Sequence, residues 1–410
     1  MSPRFWAPGL VLFALARPAF AAPLTYDQAL ARASASAPAL AAADLRTDAA
    51  RSAARAAGAL PDPQLKFGVD NYPVSGPAAG RFGADEMTMA TVGVMQEFPN
   101  RARRRAETAG AQAEIGLAQA QRAMTEREVR VGAALAWVDL YYAEQRLAAL
   151  AEVLRQLQPL WDAAPSGVAS GATRPAMALA PVKLKAALDD QRDELTAAVG
   201  RARAELARWT GDETPSVIGL PPEPAFDPVA LRAGLDRHST VRAFESARDK
   251  AQADVALARA AKRPDWAVEV GYGRRDPMFG DMVSAGVTVR LPLFPGRRQD
   301  PLIAARTADA ARVGVDRETA RRQLAAALEA DLADHVMHHE QWMRAQTVVL
   351  PAARQQADLE TASYGAGRAG LAEVLQAFTD LADARLTLVE REAAVARDAI
   401  RISLTYGDAP

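Results

Sequence analysis

Three histidines that lie close together in the sequence are the first side chains whose spacing suggests chemistry. His335, His338 and His339 fall on one long predicted helix, where His335 shares a face with the other two and Asp331 lies one turn earlier. Imidazoles spaced by one helical turn can chelate Zn²⁺ or Cu²⁺. The alternative, which the sequence favours, is an exposed polar patch on a helix. We therefore predict no resident metal and no cofactor, and keep the three histidines as weak candidates.

No other group of residues predicts catalysis. The 410 residues include no cysteine, which excludes disulfides, thiolate metal sites and cysteine nucleophiles. No phosphate-binding glycine loop, zinc-protease motif or serine triad occurs in the context that it requires. Lys and Arg number 49 against 50 Asp and Glu, whereas nucleic-acid binders need an excess of basic residues. We predict that the chain is not an enzyme and does not bind nucleic acid.

The N-terminus has the pattern of an export signal. Residues 1–21 contain an early Arg4, an apolar stretch over 5–15, and the small-residue triplet Ala19-Phe20-Ala21. This pattern predicts a cleaved signal peptide. The alternative, a single membrane anchor, needs a longer apolar run. Ala22 follows the predicted cleavage point where a lipoprotein would have cysteine, so the mature protein is predicted to be exported without a lipid anchor.

The helices and strands that would position any functional residue occur twice in the sequence, as two internal repeats. We predict a signal peptide over 1–21, a first repeat over 22–211, a proline-rich linker over 212–225 and a second repeat over 226–407. Four pairs of short segments mark the two copies: Leu60-Pro61-Asp62 with Arg263-Pro264-Asp265, Glu97-Phe98-Pro99 with Leu293-Phe294-Pro295, Ser170-Gly171 with Ala366-Gly367, and Thr210-Gly211 with Tyr406-Gly407. The first pair is 203 residues apart and the other three are 196 apart, so one loop is longer in the first copy.

Each copy contains an alanine-rich helix, two strands, a very long helix and a last helix. The fold class is therefore mainly α with a small β part. The predicted helices cover 26–57, 101–157 and 175–209 in the first copy, and 228–261, 299–349 and 371–404 in the second. Apolar residues recur every seven positions in the long helices, as in Val374, Leu381 and Leu388, which predicts coiled-coil packing.

The strands alternate between apolar and small or polar residues. Trp266, Val268, Val270 and Tyr272 would face one way, with the residues between them facing the other. Each run has the length, about ten residues, that a tilted strand needs to cross a bilayer. The alternative is the edge of a soluble sandwich, but four strands make a poor one.

Four strands cannot form a closed barrel alone, since about eight is the minimum. An open sheet in lipid would leave backbone groups unpaired at both edges. We therefore predict an oligomer, because three chains would supply twelve strands.

With these features together, the sequence resembles the TolC family of outer-membrane efflux proteins over essentially the whole mature chain. The segments 60–63, 96–99, 263–273 and 281–300 are similar to the heavy-metal efflux branch of that family, the CzcC- and CusC-like proteins. The resemblance implies a homotrimer with a twelve-stranded outer-membrane barrel and a periplasmic α-barrel. It also implies three kinds of partner: outer-membrane lipid, a periplasmic adaptor (membrane fusion) protein, and an inner-membrane RND pump.

The resemblance also implies a periplasmic gate at the helical hairpin of the second copy. Tyr364 and Gly367 match the family pattern, and Glu373 matches the first of two gate acids. Gln376 replaces the second acid, and Met177 stands at the corresponding position of the first copy. Arg368 is a candidate to pair with an acid on a neighbouring helix. Glu373 is a candidate cation-selective constriction; its alternative is an ordinary solvated helix residue.

Four prolines lie at the predicted junctions between helix and strand: Pro61, Pro99, Pro264 and Pro295. Proline has no N–H to donate, which is tolerated where a helix or a strand ends. Basic residues follow the strand ends at Arg101, 103–105 and 297–298. They are candidates to bind lipid phosphate or acids of neighbouring helices.

The sequence thus predicts an outer-membrane exit duct of a tripartite efflux system that exports heavy-metal cations. The alternatives are a duct for drugs or for type I secretion, a secreted trimeric coiled-coil scaffold without a pore, and a periplasmic enzyme.

Overall fold

Long helices make up most of the chain, and four strands lie between them. The computed structural model describes residues 22–169 and 179–407. The predicted signal peptide, the 170–171 turn of the first copy and Met177 lie outside the described residues. Within the described part, no helix is both long enough and apolar enough to cross a membrane.

The helices and strands follow the predicted order, which confirms a mainly α chain with a small β part. The helices are α1 (Tyr26–Ser36), α2 (Pro38–Ala56), α3 (Arg101–Ala169), α4 (Leu179–Thr210), α5 (Pro228–Gly234), α6 (Ser239–Ala260), α7 (Gln299–Arg344), α8 (Leu350–Gly365) and α9 (Leu371–Tyr406). The strands are β1 (Gln64–Asp70), β2 (Met89–Phe98), β3 (Asp265–Arg274) and β4 (Met282–Arg290).

Three of the predicted helices are interrupted, either near a proline, which has no backbone N–H to donate, or at a residue that caps the following helix. Pro38 begins α2, so the segment 26–57 is two helices. A 3-10 turn, Leu235–Arg237, separates α5 from α6. A π-helical turn, Ala345–Val349, lies between α7 and α8 and ends two residues before Pro351, whose ring and missing N–H would disturb a regular α ladder.

The four strands form one antiparallel sheet in the order β1-β2-β3-β4. Its central pair, β2 with β3, joins the two repeats, with Val92 opposite Tyr272 and Phe98 opposite Trp266. Neither repeat therefore builds the sheet alone. Among the described strands, β1 and β4 each pair on one side only, and every residue of both is exposed.

The strand register confirms the predicted alternation. One cross-strand row runs through Phe67, Val92, Tyr272 and Val283. The neighbouring row on the other face runs through Lys66, Gly93, Gly271 and Ser284. The sheet thus has one large apolar face and one face of small and polar residues, which we call the polar face.

One asparagine fastens the end of β2 to the start of β3. The backbone N–H of Asn100 donates to Oδ1 of Asp265 over 2.7 Å, and its side-chain amide donates to the same atom over 2.8 Å. The side-chain oxygen of Asn100 accepts from the backbone N–H of Arg103 at 2.9 Å. Asn100 therefore caps α3 at the point where the strand ends.

The chain divides into two compact units, each made from parts of both repeats. The first comprises Met1–Ala37, Val129–Ala225 and Ala333–Arg401, and the second comprises Pro38–Glu128, Phe226–Leu332 and Ile402–Pro410. The first unit contains a core cluster of leucines from α3, α4 and α9, among them Leu150, Leu188 and Leu375. The second unit contains one built around Leu235, Leu328 and Ile402.

Residues at heptad spacing are buried most completely in a helix that packs along a single apolar stripe. In α4 the residues at heptad spacing are all buried: Leu188, Leu195, Val199 and Leu206. In α3 Leu140, Leu150 and Leu157 are buried, whereas Leu147 and Leu154, also at heptad spacing, pack half-buried beside the last two. Because α3 contacts both α4 and α9 in this cluster, its apolar stripe is wider than one heptad seam.

A buried histidine caps α6 in the second unit. Nδ1 of His238 accepts from the backbone N–H of Thr240 at 3.2 Å, and Nε2–H donates to the carbonyl of Thr405 at 2.9 Å. Arg127 donates to that same carbonyl over 2.5 Å. Burial lowers the pKa of His238 below its ordinary value, the charge of Arg127 lowers it further, and the bond to Thr405 opposes both effects.

We expect this cap to make stability depend on pH. Protonating Nδ1 removes the acceptor for Thr240. Because the pKa of His238 is lowered in the folded chain, the unfolded chain binds more protons below about pH 6.5, so this contribution is full above that pH and is lost as the pH falls. The change His238→Asn keeps a capping oxygen that does not titrate. Its melting temperature should fall less than that of the wild type between pH 7.5 and pH 5. Equal falls in the two proteins would contradict the assignment.

Candidate functional site

The hairpin between α8 and α9 is closed by a glycine in the left-handed region. Gly367 has φ +70°. Its N–H donates to the carbonyl of Tyr364 over 2.9 Å, and the N–H of Arg368 donates to the carbonyl of Ser363 over 2.8 Å. These two bonds form a Schellman motif, which satisfies the last carbonyls of α8. The sequence predicted the turn here, and the structure gives the reason for its glycine.

Glu373 lies in the first turn of α9 and is exposed. A Cβ placed on Gly370 would lie 2.7 Å from Oε2 of Glu373, so the flexible end of the Glu373 side chain lies against this glycine. A negative charge is favourable at this helix end, because the helix dipole presents its positive end there.

Glu373 is the first member of an acidic stripe along α9. Gln376, Asp380 and Asp383 follow at steps of three, four and three residues, which places all four on one helix face. Gln376 donates to Oδ1 of Asp380 over 2.9 Å. The opposite face is buried and contains Val374, Leu375 and Leu381.

The carboxylates of this stripe have no ion-pair partner among the described residues. In the parts of α7 to α9 and their neighbours that the structure describes, Glu373, Asp380 and Asp383 form no ion pair. Sequence reasoning found Glu373 and Gln376 but missed Asp380 and Asp383. The helical spacing from Glu373 was the signal that would have found them. The stripe can attract and pass cations without holding one tightly.

Tyr364 and Arg368 lie at the tip of the same hairpin. The side chain of Tyr364 is 37% exposed, and Arg368 is exposed on the residue after Gly367. Within the described chain Arg368 forms no ion pair, so its pairing with an acid on a neighbouring helix remains a prediction.

The three histidines of α7 do not converge. Nδ1–H of His338 donates to Oδ2 of Asp398 in α9 over 2.6 Å, while the ring of His339 packs against Trp342 with centroids 5.5 Å apart. Burial lowers the pKa of His335, which favours its neutral form. Among the described residues no group of three metal-binding side chains is placed to hold an ion.

Asp398 explains why His338 lies where it does. This carboxylate is 4% exposed, and it also accepts from Arg401 over 2.9 Å. A buried carboxylate needs such partners. His338 therefore joins α7 to α9 in the first unit.

The four prolines all lie between a helix and a strand. Pro61 precedes β1 and Pro264 directly precedes β3, while Pro99 follows β2 and Pro295 begins the 3-10 turn after β4. Their proposed role at the junctions remains a prediction.

Comparison with known proteins gives two matched segments, one in each repeat. The chain matches the family described as "Outer membrane efflux protein" over residues 29–211 and 231–408. It is 30% identical over 204 residues to the cobalt-zinc-cadmium resistance protein CzcC of Cupriavidus metallidurans, a match that covers 49% of this chain and 46% of CzcC. This chain thus matches about half the length of that relative.

Solved structures have the same fold over nearly the whole chain. CusC superimposes with a TM-score of 0.80 at 16% identity, covering 100% of both chains. VceC from Vibrio cholerae gives 0.76 at 17% identity, covering 93% of this chain and 96% of VceC. The open state of MtrE from Neisseria gonorrhoeae gives 0.74 at 17% identity, covering 93% of this chain and 88% of MtrE. At these identities the likeness establishes the fold alone.

The hairpin glycine gives a direct test of the turn. Gly367→Ala should destabilise the turn by about 1 kcal/mol, because an L-residue with a positive φ is strained. No atom lies within 4 Å of the added Cβ, so the cost is conformational. The measurement is amide hydrogen exchange at Arg368, which should become several-fold faster. Gly365→Ala, in the last turn of α8, is the matched control and should not accelerate exchange. Unchanged exchange in Gly367→Ala would refute this account of the turn.

Proposed function

Because the chain belongs to the outer membrane efflux protein family, we propose that it is the outer-membrane exit duct of a tripartite efflux system. The family match confirms the resemblance found from the sequence. The chain is a member of a family of efflux channels and not an enzyme.

A homotrimer is the assembly that the sheet supports best. Strands β1 and β4 have all their residues exposed and pair on one side only among the described strands. Unpaired strand edges are not tolerated in lipid. In the proposed trimer, β4 of one chain pairs with β1 of the next, and twelve strands close with their apolar face towards the lipid.

Metal cations are the cargo that we propose, and the acidic stripe of α9 is the observation that carries this proposal. Three carboxylates, the exposed Glu373 and Asp383 and the half-buried Asp380, lie on one helix face without a basic partner in the described chain. Three copies of the stripe would make successive rings of negative charge, which favour cations over anions. The name of the relative CzcC, a cobalt-zinc-cadmium resistance protein, points to the same chemistry.

Conduction through such a duct is passive. We propose that a periplasmic adaptor and an inner-membrane RND pump supply the cargo and the energy, and that docking of these partners opens the hairpin tips of α8 and α9. The helices would then extend into the periplasm from a barrel in the outer membrane. Tyr364, Gly367, Arg368, Glu373 and Gln376 form the proposed gate.

Neutralising the stripe should weaken the preference for cations. Glu373→Gln is expected to lower the cation-to-anion permeability ratio of the purified protein in planar bilayers by about two-fold, the factor that a few tenths of a kcal/mol from one exposed charge produces. Adding Asp380→Asn and Asp383→Asn should lower the ratio further. Asp193→Asn on α4, which removes an exposed charge outside the stripe, is the control. An unchanged ratio in the triple variant would leave the stripe as a solvated helix face.

Loss of the gene should reveal the cargo. We expect a deletion strain to lose tolerance to divalent cations such as Zn²⁺ or Co²⁺, with tolerance restored by the wild-type chain and restored less by the triple stripe variant. Growth over a series of metal concentrations is the measurement, and a panel of drugs is the comparison. Sensitivity to drugs with unchanged metal tolerance would replace the metal duct by a drug duct.

A further inference from the structure

A charged cleft lies in the second unit, where α3, α6 and α7 meet the ends of β3 and β4. Its volume is about 640 Å³, within the range of about 300–1,000 Å³ that is typical of ligand pockets. Six basic side chains line it, against three carboxylates. The basic residues are Arg103, Lys250, Arg263, Arg290, Arg298 and Arg306.

The three carboxylates are already engaged. Glu107 lies 3.0 Å from Nε of Arg103, and Asp254 lies 2.9 Å from Nζ of Lys250. The third, Asp265, accepts the two bonds from Asn100 described above and lies 3.5 Å from Arg103. The acids of the cleft therefore neutralise Arg103 and Lys250, and Arg306 lies 3.3 Å from Asp309 outside the lining.

Positive charge is left over on the other side of the cleft. Arg290 approaches Glu97 only at 3.9 Å. Arg263 and Arg298 form no ion pair with any residue in the described ranges 22–169 and 179–407. Both are exposed, so their guanidinium groups are free to meet a ligand.

The repeat shows that the fold does not need these arginines. At the spacing of 203 residues Arg263 corresponds to Leu60, and at the spacing of 196 residues Arg298 corresponds to Ala102 and Arg306 to Gly110. At these positions the first copy makes the same passage with apolar or small residues, although Arg101 and the residues 103–105 follow its strand end. The junction therefore does not require an arginine at positions 263, 298 or 306.

The lining also has an apolar part. Leu257 of α6, Leu302 of α7 and Pro292, which follows β4, form it. A bare inorganic anion would leave this part in contact with water. A ligand that combines an anionic group with a carbon skeleton would cover both parts.

We propose that this cleft binds the phosphate group of a small, soluble organic phosphate. The planar guanidinium forks of Arg263 and Arg298 suit the oxygen atoms of phosphate, to which arginine donates paired, charge-assisted hydrogen bonds. Arg290, which approaches Glu97 only at 3.9 Å, adds positive charge beside them. The apolar residues contact the organic part.

The position of the cleft favours a soluble ligand over a membrane lipid. Arg290 belongs to the polar face of the sheet, since it follows Ser284, Gly286 and Thr288 at alternate positions of β4. A smaller adjoining pocket shares Arg103, Asp265 and Arg290 and is lined by Ala267 and Thr288 of the same face. The apolar face, which suits acyl chains, is the other one.

The test uses the purified full-length protein and three probes. Phenyl phosphate and inorganic phosphate are added to the protein in detergent, and phosphatidylglycerol is supplied in nanodiscs. Isothermal titration calorimetry measures the first two and native mass spectrometry measures retained lipid. Phenyl phosphate should bind at least about ten-fold more tightly than inorganic phosphate, because its ring covers apolar surface. Added salt should weaken the binding.

The key variant combines Arg263→Leu with Arg298→Ala, which introduces the residues that the first junction already carries. We expect it to fold, by circular dichroism and oligomeric state, and to bind phenyl phosphate at least about ten-fold more weakly. Arg312→Ala with Arg322→Ala removes the same charge from α7 outside the cleft and should leave binding unchanged.

Several outcomes would overturn the proposal. Equal binding of phenyl phosphate by the wild type and the cleft variant would do so, as would the absence of saturable binding. Retention of phosphatidylglycerol that depends on Arg263 and Arg298, without binding of phenyl phosphate, would replace the soluble ligand by a lipid headgroup. These measurements do not require conduction, so their failure and the failure of the proposed channel are distinguishable.

Discussion

The pairing of backbone groups at the strand edges is the constraint on which the rest of this structure depends. The central strands β2 and β3 are paired on both sides, and they come from different repeats, so the sheet exists only because the chain is doubled. The outer strands β1 and β4 are paired on one side by described residues. An edge of N–H and C=O groups must find partners before it can enter lipid. The alternating faces, the capped junctions and the proposed trimer all serve this requirement.

The chain can pass from a strand into a long helix only if the backbone N–H and C=O groups at the end of each element find hydrogen-bond partners. Asn100 meets this need at the end of β2, where it caps α3 and bonds twice to Asp265 at the start of β3. At the turn between α8 and α9, Gly367 has a positive φ, and two backbone hydrogen bonds there satisfy the last carbonyls of α8. Small polar residues and glycine are suited to these places because they supply a local acceptor or a backbone conformation that other residues resist.

The two repeats share a fold but differ in charge. At the spacing of 196 residues, the stripe acids Glu373, Asp380 and Asp383 correspond to Met177, Leu184 and Ala187. The unpaired arginines of the cleft likewise have no basic counterparts in the first copy. Because the first copy supports the same elements without these charges, folding alone does not account for them. The second repeat therefore carries the cation-attracting stripe and most of the charged residues of the proposed phosphate-binding cleft, in different compact units.

The sequence by itself determined the repeat, the order of the elements, the two faces of each strand and the family, because period-two and period-seven patterns record which side of an element is covered. It also located the hairpin turn and Glu373. It could not show that His338 bonds to Asp398, or that Asp380 and Asp383 have no basic partner among the described residues. Nor could it show that Arg263 and Arg298 line one cleft. Those facts depend on which helices become neighbours, and residues far apart in the chain acquire their partners, their burial and their uncompensated charge only when tertiary packing brings the helices together.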